Sequence, residues 1–394
     1  MSVSEIDVAA LRALTPGCST VLHFNNAGAG LMTRQTLQAV TDHLDLEARI
    51  GGYEAHDRNL AALEHFYDAM AAMLNCQRDE IAFVENATRA WDMAFYSLRL
   101  EEGDRILTSV PEYASNFIAF LQVARRSGAI VDVVPDDSSG QIDVDALRRM
   151  IDGRTRLIAI THVPSHNGLV QPAEAVGKVA RAAGIPYLLD ACQSAGQVPL
   201  DVEAIGCDML SGTGRKYLRG PRGTGFLYVR RTMIERLEPP FLDLHAATWT
   251  SETDFAMRED ARRFENWECF FGGKIGLGLA VDQYLAVGQE AVSARVESLG
   301  VGLRSRLASI AGVDLHDRGA RRCGIVTFSR RGLGAGEVRD RLRAQAINVS
   351  VSSGDYSQID LIKRGLTSVV RASVHAYNTD EEIERFAAAV DGLR

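Results

Sequence analysis

Residues Cys207 to Val229 read CDMLSGTGRKYLRGPRGTGFLYV. Apolar residues at both ends frame a polar, glycine-laden centre that holds one lysine, Lys216. The run from Thr224 to Val229 has the continuous apolar character of a buried strand, so Lys216 falls where a strand-bounded turn meets a cavity. A lysine amine becomes a nucleophile at neutral pH only when burial or a neighbouring cation disfavours its charge, and Arg215 is such a neighbour. Read alone, the stretch also suits a surface turn with basic residues.

The next stretch upstream, PYLLDACQSAG, decides between the two. The apolar run Ile185 to Leu189 ends abruptly in Asp190. An acid at the carboxyl end of a buried parallel strand points into the crevice where α/β sheets bind ligands. Such a carboxylate needs a cationic or N–H partner to remain charged. A protonated pyridine nitrogen is one partner of that kind. An acid that keeps a ring nitrogen protonated, with a lysine that condenses with an aldehyde, is the pair that pyridoxal 5′-phosphate chemistry requires. Asp190 and Lys216, one strand and one turn apart, fit it.

The Asp190–Gln193 segment, the RKYLRGPRGTGFLYV run and the C-terminal VVRASVHAYNTDEEI resemble the class V, fold-type I pyridoxal-phosphate enzymes. That group includes cysteine desulfurases, selenocysteine lyases, isopenicillin-N epimerase-like proteins and ergothioneine-type C–S lyases. The likeness runs from about Phe24 to the C-terminus. It implies an α/β fold: a large domain with a mostly parallel seven-stranded sheet over 20–265, and a smaller α+β domain from 1–19 and 266–394. The strand–helix alternation between Glu80 and Val229 independently implies a mostly parallel sheet.

Composition bounds the rest. The 394 residues are enough for two cores, and 46% hydrophobic with 24% charged is ordinary for a globular protein. A formal charge of −8 argues against nucleic acid or an anionic membrane as the main partner. The start, MSVSEIDVAALRAL, lacks the pattern of a signal peptide, and no apolar run reaches a membrane span. The six cysteines show no metal-like spacing, so they read as reduced thiols of a cytoplasmic protein with no metal site.

Along the chain, Val3–Leu14 reads as a short helix, and Asn25–Gly30 as a glycine turn that brings backbone close to a ligand. Asn86, Ala87 and Thr88 stand at a strand-to-helix turn, a natural phosphate seat that equally suits plain capping by Thr88. The resemblance assigns the phosphate to Ala87 and Thr88, and adds Thr213 and Arg215. It sets Tyr113 against the cofactor ring, Ser165 at its phenolic oxygen or at the substrate amine, Gln193 at the phenolic oxygen, and Arg371 on the α-carboxylate of an amino acid. His166 and Asn25 are further candidates for substrate, whereas His162 reads as a buried structural histidine. Lys216 and Asp190 are the catalytic pair.

Two departures bear on the reaction. Desulfurases carry a nucleophilic cysteine on a loop whose counterpart here is Ser357, and no cysteine follows Cys323. A hydroxyl cannot form a persulfide. Phe271 stands where a partner subunit's threonine reaches the phosphate in desulfurases, although a homodimer with active sites near its interface is still expected. The resemblance and these departures together imply a β-eliminating C–S lyase acting on a substituted cysteine or its sulfoxide. A class V aminotransferase or amino-acid epimerase is the alternative.

Overall fold

The computed structural model describes residues 6–393. Seven strands form the central sheet: β1 Ile81–Val84, β2 Arg105–Ser109, β3 Ile130–Val134, β4 Thr155–Thr161, β5 Tyr187–Asp190, β6 Met209–Thr213 and β7 Gly225–Val229. Their order across the sheet is β1-β7-β6-β5-β4-β2-β3. Only β7 runs against its neighbours, pairing antiparallel with both β1 and β6. The large sheet is therefore mostly parallel.

The uninterrupted apolar runs follow from burial on both faces. In β1, Ile81 and Phe83 join one core while Ala82 and Val84 join the other. In β5, Leu188 faces the core that holds Trp91 and Phe120, and Tyr187 and Leu189 face the opposite one. This period-two alternation is what a strand covered on both sides produces.

Register places the polar strand ends side by side. Thr161 of β4 lies opposite Asp190 of β5, and Asp190 lies opposite Ser211 of β6. Lys216 follows β6 in a turn closed by Gly214 N–H to the Thr224 carbonyl at 3.0 Å and Arg219 N–H to the Lys216 carbonyl at 3.0 Å. The acid and the amine thus leave adjacent strands at the same edge.

A second, antiparallel sheet comprises β8 Val313–Leu315, β9 Ile325–Arg330, β10 Ser350–Ser353 and β11 Ser368–Ser373, in the order β8-β9-β11-β10. This is the smaller α+β unit. Helix Phe271–Val287 packs along helices Arg34–Ile50 and Leu60–Leu74, and helix Gln289–Ala308 packs on Asp380–Asp391. Of the helix expected over Val3–Leu14, Val8–Ala13 forms; Val3 to Glu5 lie outside the described residues. The N-terminal segment ties the two units together: Leu22–His23 pairs in parallel with Ile347–Asn348, and Asn25 bridges to Ser373.

The glycine turn that follows has a direct purpose. Gly30 N–H donates to the Arg215 carbonyl at 2.9 Å, and a Cβ on Gly30 would stand 2.4 Å from the Lys216 carbonyl oxygen. Only glycine lets this segment rest on the lysine turn. No helix among the described residues is long and apolar enough to cross a membrane.

Candidate active site

A cavity of ≈ 310 Å³ opens at the carboxyl ends of β5 and β6. Its walls include Ala87, Thr88, Tyr113, Asp190, Thr213, Arg215 and Lys216, seven residues picked out by the sequence. Topology explains the convergence, since crevices of this kind form where parallel strands end.

Lys216 is 7% exposed, and its Nζ donates to Cys192 Sγ at 3.1 Å. Burial lowers its pKa below the ordinary lysine value, and the Arg215 guanidinium pushes the same way. Asp190 is 4% exposed and accepts from Asn116 Nδ2 at 2.9 Å and from the Cys192 backbone N–H at 2.8 Å. Both donors are neutral. Burial accordingly raises the carboxyl above its usual range, so the anion stays short of positive charge.

At the start of helix Ala87–Phe95, Asn86 Oδ1 takes the Arg89 N–H at 2.9 Å. Asn86 is therefore the cap, and the Thr88 hydroxyl is left for the cavity. Thr213 Oγ1 donates to the Thr224 carbonyl at 3.2 Å, and Arg215 reaches back to the same hydroxyl at 3.5 Å. Arg222 and Gly223 complete this basic wall. A ring nitrogen facing an under-compensated carboxylate, an aldehyde facing a lowered-pKa amine and a phosphate facing a helix N-terminus would each meet a suited group here. The residues present fit pyridoxal 5′-phosphate.

Several expected residues stand outside this wall. Gln193 Nε2 donates to the Ala27 carbonyl at 3.0 Å, while its Oε1 is buried without a partner. Asn25 Oδ1 is likewise buried and unpartnered. Ser165 is engaged through its backbone, whose carbonyl accepts Arg371 Nη1 at 2.9 Å. His166 Nε2 lies 3.0 Å from Asp360 Oδ2, both side chains buried, and Asn167 joins the same carboxylate. Burial alone would raise Asp360, yet His166, Arg364 and Asn167 hold it down at about 2. His166 thus makes its hydrogen bond with Asp360 and does not line the cavity.

Arg371 lies in β11, opposite Thr327 and Ser350. Its Nε is buried and unpartnered, and burial lowers its pKa to about 10. Arg215 and Tyr113 of the cavity wall are close enough to act on its charge. An unused donor on a buried guanidinium is suited to a carboxylate. Ser357 is buried and its Oγ accepts the Leu361 N–H at 3.2 Å. Phe271 opens its helix and lines a separate, larger cavity with His56, Tyr67 and Lys274.

Sequence reasoning missed Asn116 and Cys192, both in the wall. Asn116 lies three residues after Tyr113, in the first turn of helix Ala114–Ser127, and nothing in the local sequence marks it. Cys192 is two residues after Asp190, yet it read only as one of six scattered thiols. No group of three or more candidate metal ligands occurs among the described residues.

A family model described as Aminotransferase class-V matches residues 22–386. A protein of Xylella fastidiosa named "Probable cysteine desulfurase" is 32% identical over 393 residues, spanning 95% of this chain and 91% of its own. One of the same name from Methanothermobacter thermautotrophicus is 30% identical over 347 residues, 87% of this chain and 86% of its own. The apo structure of a cysteine desulfurase from Thermococcus onnurineus superposes with a TM-score of 0.91 at 25% identity, covering 99% of this chain and 98% of that one.

Proposed function

This chain belongs to the class-V aminotransferase family and is a pyridoxal-phosphate enzyme of lyase or transferase type, and from that premise we propose that it cleaves the Cβ–S bond of a substituted cysteine or its sulfoxide. The observation that carries the reading is the pairing of an intact Lys216–Asp190 cavity with a buried serine, Ser357, at the desulfurases' nucleophile position. The names of the desulfurase relatives support a sulfur-bearing amino acid. Cys192 supplies no substitute nucleophile in this reading, because burial raises its pKa and keeps it a protonated thiol beside Lys216.

When bound, the cofactor supplies an electron-accepting ring that stabilises negative charge at the substrate's Cα. Thr88, Thr213 and Arg215 would hold its phosphate with the N-terminus of helix Ala87–Phe95, Tyr113 would flank the ring, and Lys216 would anchor the aldehyde end. Asp190 would keep a proton on the ring nitrogen, relieving its own shortage of positive charge. Arg371 would fix the α-carboxylate through its unused Nε. The lowered pKa of Lys216 suits it to take the Cα proton near neutral pH. Loss of that proton lets the sulfur substituent depart, so that a substituted cysteine and water yield a thiol, pyruvate and ammonia; a sulfoxide yields the sulfenic acid instead.

A homodimer belongs to this reading, supported by the exposed rings of Tyr53, Trp249, Phe255 and Trp267. The cytoplasm is the compartment proposed, supported by six free cysteines. The test is incubation of the loaded enzyme with S-alkyl-cysteines and their sulfoxides, with pyruvate measured over time. Pyruvate is expected, and its absence across a broad panel refutes the lyase reading. The Tyr113 ring on the cavity wall favours one alternative, proton return from another group during transamination or epimerisation. Deuterium exchange at Cα without pyruvate would establish that alternative in its place.

A further inference from the structure

Behind Asp190 lies a second buried acid that the reaction as described does not use. Glu112 sits between β2 and helix Ala114–Ser127 and is 3% exposed. Five donors converge on it. Oε2 accepts Thr108 Oγ1 at 3.0 Å and the Thr161 N–H at 3.0 Å. Oε1 accepts the Tyr113 N–H at 2.8 Å, Asn116 Nδ2 at 3.0 Å and the Thr161 hydroxyl. The same Asn116 Nδ2 reaches Asp190 Oδ2 at 2.9 Å. One amide nitrogen with two hydrogens therefore joins two buried carboxylates. Turning the amide over would set its oxygen against both, so the bridge fixes the orientation of Asn116.

We propose that Glu112 is a positioning residue which, through Asn116, holds Asp190 in the setting that keeps the cofactor's ring nitrogen protonated, and which through the Tyr113 N–H also places the ring-flanking tyrosine. The proposal rests on the cofactor of the reading above and not on its substrate. A carboxylate is the only side chain that accepts from all five donors with both oxygens. Glutamine would present an NH₂ group to at least one of them and leave it facing a donor. Neither Glu112 nor Asn116 moves a proton in this account; they act through Asp190.

The test uses full-length enzyme reconstituted with pyridoxal 5′-phosphate labelled with ¹⁵N in the ring, comparing wild type with Glu112→Gln, Asn116→Ala and Thr108→Val. Thr108→Val removes a donor to Glu112 that lies off the bridge. In Glu112→Gln and Asn116→Ala the ring-nitrogen signal is expected to move toward its unprotonated position, and the cofactor's Kd to rise by about tenfold or more. The Thr108→Val signal is expected to stay where wild type has it. An unchanged signal in Asn116→Ala overturns the proposal, whether or not Glu112→Gln folds. An equal shift in Thr108→Val also overturns it, since general loosening then accounts for the change. Wild-type enzyme that lacks lyase activity leaves this readout intact, so failure of the substrate reading and failure of the bridge are told apart.

Discussion

Replacing Asp190 by asparagine removes one charge and nearly nothing else, which makes its cost calculable. The carboxylate now takes two neutral donors, Asn116 Nδ2 at 2.9 Å and the Cys192 N–H at 2.8 Å, one on each oxygen. An asparagine has one acceptor oxygen for those two donors, so its NH₂ must face one of them. A buried donor left unmatched costs about 1–3 kcal/mol, and the variant should lose stability on that order. The larger effect concerns the cofactor. A hydrogen bond to a charged group contributes about 1.5–3 kcal/mol net, so its loss should raise the Kd of pyridoxal 5′-phosphate by roughly 10- to 150-fold. Turnover should fall further than binding, because a ring without its proton is a poorer electron sink. Apo-protein would be titrated with the cofactor and followed by visible absorbance, with thermal melts of both apo forms alongside. A Kd within about threefold of wild type would refute the pairing of Asp190 with the ring.

Other expectations follow from the same geometry. Arg371→Lys should raise KM for an amino-acid substrate by about tenfold or more with a smaller change in kcat, because a point charge cannot replace the planar donor pair; steady-state kinetics check it. Gly30→Ala should destabilise by about 1–3 kcal/mol and disturb cofactor loading, since its Cβ would stand 2.4 Å from the Lys216 carbonyl oxygen; melts and absorbance titration read both effects. Ser357→Cys should not yield a persulfide-forming enzyme, because that position is buried against the Leu361 N–H; mass spectrometry after incubation with cysteine decides. His162 is buried, and that burial lowers its pKa to about 3. A folded value below the unfolded one means that the unfolded chain binds more protons, so this contribution is complete above about pH 6.5 and is lost as pH falls toward 3. At pH 5 the loss is on the order of 2 kcal/mol, and His162→Gln should show a correspondingly shallower decline in denaturant titrations between pH 6.5 and 5.

Much of the site could be read from the chain because parallel strands announce their own ends. Tyr187–Asp190 and Met209–Thr213 are apolar runs that stop at polar residues, and hydrogen bonding between strands then brings those ends together. Lys216, Asp190 and the Thr88 turn were legible for that reason. Segments that fold back over long distances were not. His166 and Ser165 sit just past β4, where position suggests the crevice, yet His166 meets Asp360 and the Ser165 carbonyl meets Arg371. Both partners come from the second unit, and no local pattern reveals them. Gln193 likewise turns to Ala27, far upstream. Asn116 was hidden for another reason: its value lies in bridging two acids, and a lone asparagine in an amphipathic helix carries no such signal.

The parallel pairing of Leu22–His23 with Ile347–Asn348, just ahead of the glycine that rests on Lys216, has a consequence for biosynthesis. The ribosome makes the first partner more than 300 residues before the second, as the numbering shows. A nascent chain can assemble the large sheet while this N-terminal clasp still has nothing to fasten to. The lysine turn receives this support only after Asn348 has been made, so a polypeptide shorter than that should be a poor trap for a reactive aldehyde.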